Sequence, residues 1–235
     1  MQIKKDSFVT KHLKIPSFNI RISSKKFSTK KILEYFHKKN KFLLTIKSKY
    51  KINYIAKNSP LKFISTSILY FVKRKDLKNK RAYDTKCRPA KRKDLKDIRY
   101  ICLNGYTSSH YYKDKRLNNK FRRNLRYYWV SNFFKNKRGD FLAVYEESRK
   151  ILGFLLLLKK KKKIVIDLIA IDNKFQNRGI ASKLISFATD IIFENNFSEI
   201  FAGTQNDNIN AKKFYKKLGF KLIKKENVYH YLKLK

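Results

Sequence analysis

The stretch "IDLIAIDNKFQNRGIAS", Ile166 to Ser182, begins as an apolar run, breaks into polar residues and resumes around a single glycine. An apolar run of that length with a polar boundary reads as a buried strand. In the continuation "GIASKLISFATDIIF", the residues Ile180, Leu184, Ala188, Ile191 and Ile192 fall on one helical face. The loop "NKFQNR" therefore joins a buried strand to the start of a helix. The first helical turn has N–H groups without internal partners, and the helix dipole adds partial positive charge there. Such a junction suits an anion. Gly179 lets the backbone come close to a ligand, and the small Ala181 keeps that approach open. The loop lacks the Gly-Lys-Ser/Thr ending of nucleotide hydrolases and the three glycines of dinucleotide folds.

Outward from this junction, "DFLAVYE", "ILGFLLLL" and "IVIDLIAI" read as three consecutive strands with tight connections. The five lysines inside "LLLLKKKKKIVI" fit a hairpin turn in solvent, a basic contact for a polyanion being the other reading. Downstream, "SEIFAGTQ" reads as a strand, "INAKKFYKKLG" as a helix stopped by Gly219, and "VYHYLKLK" as a closing strand. Upstream, "YDTKCRPA" reads as a strand and "KRKDLKDIRYICLNG" as a helix with Leu95, Ile98 and Cys102 at helical spacing. An aromatic-rich segment, residues 106–134, follows, with its last part helical. The charged, weakly periodic segment Lys73–Lys86 reads as a domain junction. Before it stand two short strands, "FNIRIS" and "FLLTIK", a helix over "STKKILEYFHKKN" and a buried strand, "FISTSILYFV". These boundaries give a small α/β segment over 1–75, a linker over 76–86 and a larger domain over 87–235.

At 235 residues, the chain can bury a full core. Its 59 Lys and Arg against 17 Asp and Glu give a formal net charge of +42. Such a field attracts phosphates of any kind. The excess is mostly Lys spread along the whole chain, which reads as compositional bias rather than as a nucleic-acid footprint. Cys87 and Cys102 have no metal-ligand spacing and form no disulfide framework, so no metal is expected and a reducing compartment is the default. No stretch approaches the roughly 18 to 20 apolar residues of a membrane span. The expectation is a soluble, cytoplasmic protein, its oligomeric state left open, a homodimer included.

The pattern Gln/Arg-x-x-Gly-x-Gly/Ala, here Gln176, Gly179 and Ala181, resembles the pyrophosphate-binding motif of the GNAT superfamily of N-acetyltransferases. "NINAKKFYKKLGF" is similar to the next helix of that superfamily, with Asn208, Ala211, Tyr215 and a Leu-Gly-Phe ending in matching positions. The resemblance implies an α/β (α+β) fold with a mixed central sheet flanked by helices, and acetyl-CoA as co-substrate. It further implies that the backbone of Ile169, Ala170 and Ile171 pairs with the pantetheine arm. The amides of Gln176, Asn177, Arg178, Gly179, Ile180, Ala181 and Ser182 would hold the pyrophosphate. Asn208 would steady the arm from the other side, and Tyr215 would protonate the departing thiolate.

Within the superfamily, the chain resembles the TDP-fucosamine acetyltransferase family in Thr204-Gln205 leading to Asn208, in the C-terminal "NVYHYLKLK" and in "YYWVSNFF". That resemblance implies a nucleotide-linked 4-amino-4,6-dideoxy sugar as acceptor, in surface polysaccharide synthesis. Tyr106, His110, Arg122, Arg126 and Tyr127 would then line the acceptor pocket, Arg and an aromatic suiting a nucleotide diphosphate. The segment "SSHYYKDKRLNN" departs from that family's pattern. Asp167, Glu146 and His110 are the candidate proton acceptors. The alternatives are a ribosomal-type protein N-terminal acetyltransferase and a non-catalytic nucleic-acid-binding module of the same fold.

Overall fold

The computed structural model describes residues 3–24, 34, 36, 38–52, 59–78, 84–105, 108–189 and 197–234. The strands are β1 (Ile3–Lys5), β2 (Ser17–Ile22), β3 (Phe42–Ser48), β4 (Leu61–Lys73), β5 (Cys87–Pro89), β6 (Phe141–Glu147), β7 (Lys150–Lys160), β8 (Lys163–Ile171), β9 (Glu199–Gln205) and β10 (Lys221–Lys233). The helices are α1 (Ser7–Leu13), α2 (Leu95–Gly105), α3 (His110–Lys113), α4 (Asn119–Ser131), α5 (Ile180–Phe187) and α6 (Ile209–Lys217). Most of the expected helix over residues 28–40, the end of the α5 pattern beyond residue 189, part of the linker and Tyr106 lie outside the described residues.

The ten strands of the described residues form one mixed sheet in the order β1-β2-β3-β10-β4-β9-β8-β7-β6-β5. Among the described residues, only β2–β3 and β8–β9 pair in parallel. The fold is the expected mixed α/β sheet flanked by helices. The strands before Lys73 and those after Cys87 belong to the same sheet, since β4 runs antiparallel to β10 on one side and to β9 on the other.

The run "GFLLLL" is apolar without alternation because β7 is covered on both faces. Phe154 and Leu156 pack with Ile98, Ile101 and Val130 of α2 and α4. Leu155 and Leu157 pack with Leu184 and Ile185 of α5 and with Tyr215 and Leu218 at the end of α6. The lysine run turns the β7–β8 hairpin, with Lys161 at φ 54°. Further along the sheet, Leu43 and Leu232 meet α1 and α4 on the α2 side. Cys87 and Cys102 are buried and unbridged, and burial pushes both thiols up to about 12, which leaves them unreactive at neutral pH.

Candidate active site

β8 and β9 pair from Lys163↔Glu199 to Ile166↔Ala202, and the ladder ends there. Beyond that point β8 stays with β7 as far as Gly153↔Ile171, and β9 stays with β4 as far as Ser67↔Gln205. Each strand is held by its outer neighbour while the inner edges part. A local cause is visible in the register. Leu157 pairs with Ile166 and Leu156 with Leu168, so Asp167 is an extra residue, and such a bulge bends its strand. Arg138 fixes the bulge, donating from Nε and Nη2 to the two Asp167 oxygens at 2.7 and 2.6 Å.

The parted strands open into a cleft of about 950 Å³. Ile169, Ala170 and Ile171 of β8, Gln176, Asn177, Gly179, Ile180, Ala181 and Ser182 of the loop and helix start, and Asn208 and Tyr215 of the facing helix all line it. Arg178 does not line it. Its guanidinium lies 4.9 Å over the Phe175 ring. Gly153 backs the cleft: a Cβ there would stand 2.5 Å from Ile171 Cδ1 and 3.2 Å from the Ala170 carbonyl oxygen.

The loop suits an anion for reasons visible in its backbone. Asn177 and Gly179 both take left-handed conformations, at φ 64° and 77°. Gly179 is the N-cap of α5, and no side chain caps the helix. The first-turn amides of Ile180 and Ala181 therefore stand at the cleft without a side-chain cap. Gln176 is turned inward along the loop, its Nε2 donating to Asn173 Oδ1 at 2.8 Å. These features fit the pyrophosphate of a coenzyme A thioester.

On the opposite wall, Asn208 caps α6 by accepting from the Ala211 amide at 3.1 Å, and its Nδ2 reaches Ser108 Oγ at 3.4 Å. Lys113 pairs with Asp207 beside it. Both contacts tie the segment after α2 to the start of α6. Tyr215 is 3% exposed, its ring held by Tyr70, Phe214 and Phe220 at centroid distances of 5.3 to 5.6 Å. Burial raises its hydroxyl above the usual tyrosine value, so the residue stays protonated and able to donate.

The candidate proton acceptors fare differently. Asp167 is taken by the Arg138 fork. Glu146 pairs with Arg88 at 2.5 Å, within a network that includes Asp94, and does not line the cleft. His110 is bonded through Nδ1 to His230 Nε2 at 2.9 Å, and His230 Nδ1 to Asp114 Oδ2 at 2.8 Å. Of the expected pocket residues, Arg126 lies near His110 and over Trp129. Arg122 donates to the Tyr112 carbonyl at 2.8 Å. Tyr127 packs with the α2 and α4 core, under Arg99. The sequence reading missed Gly153, Ser108, Asp114 and His230. None lies in a local motif, and His230 in "VYHYLKLK" reads only as one position of a strand.

No group of three or more His, Cys, Asp or Glu side chains among the described residues could hold a metal ion. No helix among them is long and apolar enough to cross a membrane. A second hollow, of about 690 Å³, lies between Lys73–Lys75 and Ser198–Glu199 at the far end of β4 and β9. None of its lining residues belongs to the motifs around Gly179 and Tyr215.

The sequence profile of the acetyltransferase (GNAT) family matches residues 103–220. The spore coat polysaccharide biosynthesis protein SpsD of Bacillus subtilis (strain 168) is 24% identical over 137 residues, 58% of this chain and 47% of the relative. The chain thus spans about half the length of this curated relative. Among solved structures, a conserved protein of unknown function from Staphylococcus epidermidis ATCC 12228 is similar with a TM-score of 0.63. It is 14% identical, and the match covers 93% of this chain and 84% of that one. A GCN5-related N-acetyltransferase from Sphaerobacter thermophilus is similar with a TM-score of 0.58. It is 10% identical, and the match covers 98% of this chain and 75% of that one. Those two likenesses concern the fold. The profile reaches from the end of α2 through the parted strands to Phe220, half of the chain, and on that match the chain belongs to the acetyltransferase (GNAT) family of enzymes.

Proposed function

We propose that the chain transfers the acetyl group of acetyl-CoA to the 4-amino group of a nucleotide-linked (TDP-) 4-amino-4,6-dideoxy sugar, in the synthesis of a surface polysaccharide. The observation that carries acyl transfer is the cleft between β8 and β9, with an uncapped helix start on one wall and Tyr215 on the other. In this reading the backbone of Ile169–Ile171 pairs with the pantetheine arm as an added strand would. The amides from Gln176 to Ser182 hold the pyrophosphate, and Asn208 steadies the arm. The amine attacks the thioester carbon directly, and Tyr215 protonates the sulfur as it leaves. The sugar acceptor is supported by the resemblance in Thr204-Gln205, "YYWVSNFF" and "NVYHYLKLK", and by the name of the relative SpsD.

The test is an acyl-transfer assay that follows free thiol, with acetyl-CoA against a panel of TDP-amino sugars and N-terminal peptides. Turnover with a 4-amino sugar is expected. Turnover with peptides alone would replace that acceptor by a protein N-terminus.

A further inference from the structure

One chain of titratable groups runs from β10 to the segment between Ser108 and Lys113 at the cleft wall. Arg116 grips Asp114 with a fork, Nε to Oδ1 at 2.9 Å and Nη2 to Oδ2 at 2.8 Å, and anchors itself on the Pro60 carbonyl at 2.7 Å. Burial opposes ionisation of Asp114, yet its bonds to His230 and Arg116 outweigh burial and hold the carboxyl well below the usual range. An ionised carboxylate only accepts hydrogen bonds. His230 is fully buried, and its Nδ1 must therefore be the donor in the 2.8 Å bond. Its Nε2 is then bare and accepts, so His110 Nδ1 must carry the proton of the 2.9 Å bond. A neutral imidazole has one N–H, which leaves His110 Nε2 with a lone pair. The tautomers of both rings are thus set from the Asp114 end.

The position of His110 gives that lone pair a use. The residue is partly buried and does not itself line the cleft, but in the chain it sits between Ser108 and Lys113, which both do and are both tied to the start of α6. We propose that His110 Nε2 takes the proton of the acyl transfer by way of one water at the cleft wall, with His230 and Asp114 as positioning residues behind it. The proposal rests on the acetyltransferase reading above. The groups that face His110 are His230 from β10, Lys47 from β3 and Arg126 from α4, with Asp114 one ring further away. Burial first, then these positive neighbours, hold it well below the ordinary histidine value.

A base of that strength does not strip a free ammonium. It is suited to the nitrogen after attack, when bonding to carbon has made the N–H acidic. The nitrogen lone pair forms the C–N bond, the amine proton passes through that water to His110 Nε2, and the C–S bond breaks with its electron pair on sulfur. Sulfur takes the Tyr215 proton, and water returns the proton from His110 to Tyr215. The Asp114 carboxylate, through His230, faces the imidazolium that forms meanwhile.

Two measurements on the full chain test this. The first is two-bond ¹H–¹⁵N spectroscopy with labelled histidine, there being four histidines to assign. His110 and His230 are expected with protonated Nδ1 and bare Nε2 at neutral pH, and a His110 protonated at Nε2 overturns the relay. The second is turnover by His110→Ala with the amine that the parent chain acetylates best. A fall of about 10² at pH 7 is expected, partly recovered at high pH and by added imidazole, with acetyl-CoA affinity unchanged. Activity within about threefold of the parent, or a loss that neither imidazole nor pH restores, overturns the role. A parent chain that acetylates no amine in the panel sinks the functional reading, and the role of His110 with it, while the tautomers still stand or fall by the spectra.

Discussion

Gly179 stands at φ 77° where the loop meets α5, a conformation that a β-branched residue resists. Gly179→Val should both strain the turn and block the approach of a pyrophosphate to the amides. Calorimetry is expected to show acetyl-CoA binding at least tenfold weaker, about 1.4 kcal/mol or more. Tyr215→Phe keeps the ring among Tyr70, Phe214 and Phe220 and deletes only the donor. A thiol near pH 8.5 leaves without help at some rate, so kcat should fall toward the lower end of about 10² to 10⁴, with the KM for acetyl-CoA little changed. A kcat within twofold would make Tyr215 a packing residue. Gln176, Gly179, Ala181, Asn208 and Tyr215 were legible because each belongs to a pattern a few residues long. Asp114 and His230 were not, since the partners lie 116 residues apart and nothing local in either sequence announces the bond.

Among the elements, β8 decides the geometry of the cleft. Its bulge at Asp167 turns the strand away from β9, and Gly153 on β7 leaves the room into which Ile171 folds back. Gly153→Val is expected to push Ile171 and Ala170 toward the cleft. A raised KM for acetyl-CoA, with an unchanged far-ultraviolet dichroism spectrum, would report that displacement, and an unchanged KM would count against it. The apolar pattern of "IVIDLIAI" shows a buried strand but not an extra residue, because a bulge is a property of two strands in register. The same limit explains β10, which runs from Lys221 to Lys233, well before the alternation of "VYHYLKLK" begins. Its charged first half, "KLIKKE", becomes a strand by pairing with β4.

For the whole molecule, the division into 1–75, 76–86 and 87–235 is a statement about folding units and has a direct test. Without 1–75, both β9 and β10 lose the strand between them and expose two long edges. Residues 87–235 made alone are therefore expected to aggregate or remain unfolded. A soluble fragment with native dichroism and acetyl-CoA affinity would establish the larger domain as independent. Stability should also depend on pH. Burial lowers the values of His110 and His230 in the folded chain, so the unfolded chain takes up more protons once the pH falls below about 6.5. Their contribution is full above that value and is lost as pH falls toward the lower folded values. The thermal midpoint should drop between pH 7.5 and 5.5, and His110→Gln should drop less; equal slopes for the two proteins would remove His110 from the cause.

The place of β4 also sets the order in which the molecule can come together. Made early, this strand has no sheet partner among its neighbours in the chain, since both β9 and β10 emerge from the ribosome far later. Until then, a thirteen-residue strand segment with eight apolar or aromatic residues and two open edges must be kept from other chains. Closing such distant pairs is slow, because much loop entropy is spent before any contact rewards it. Production of this protein in cells should therefore hinge on chaperone capacity during synthesis, and on temperature, more than on the strength of the finished fold.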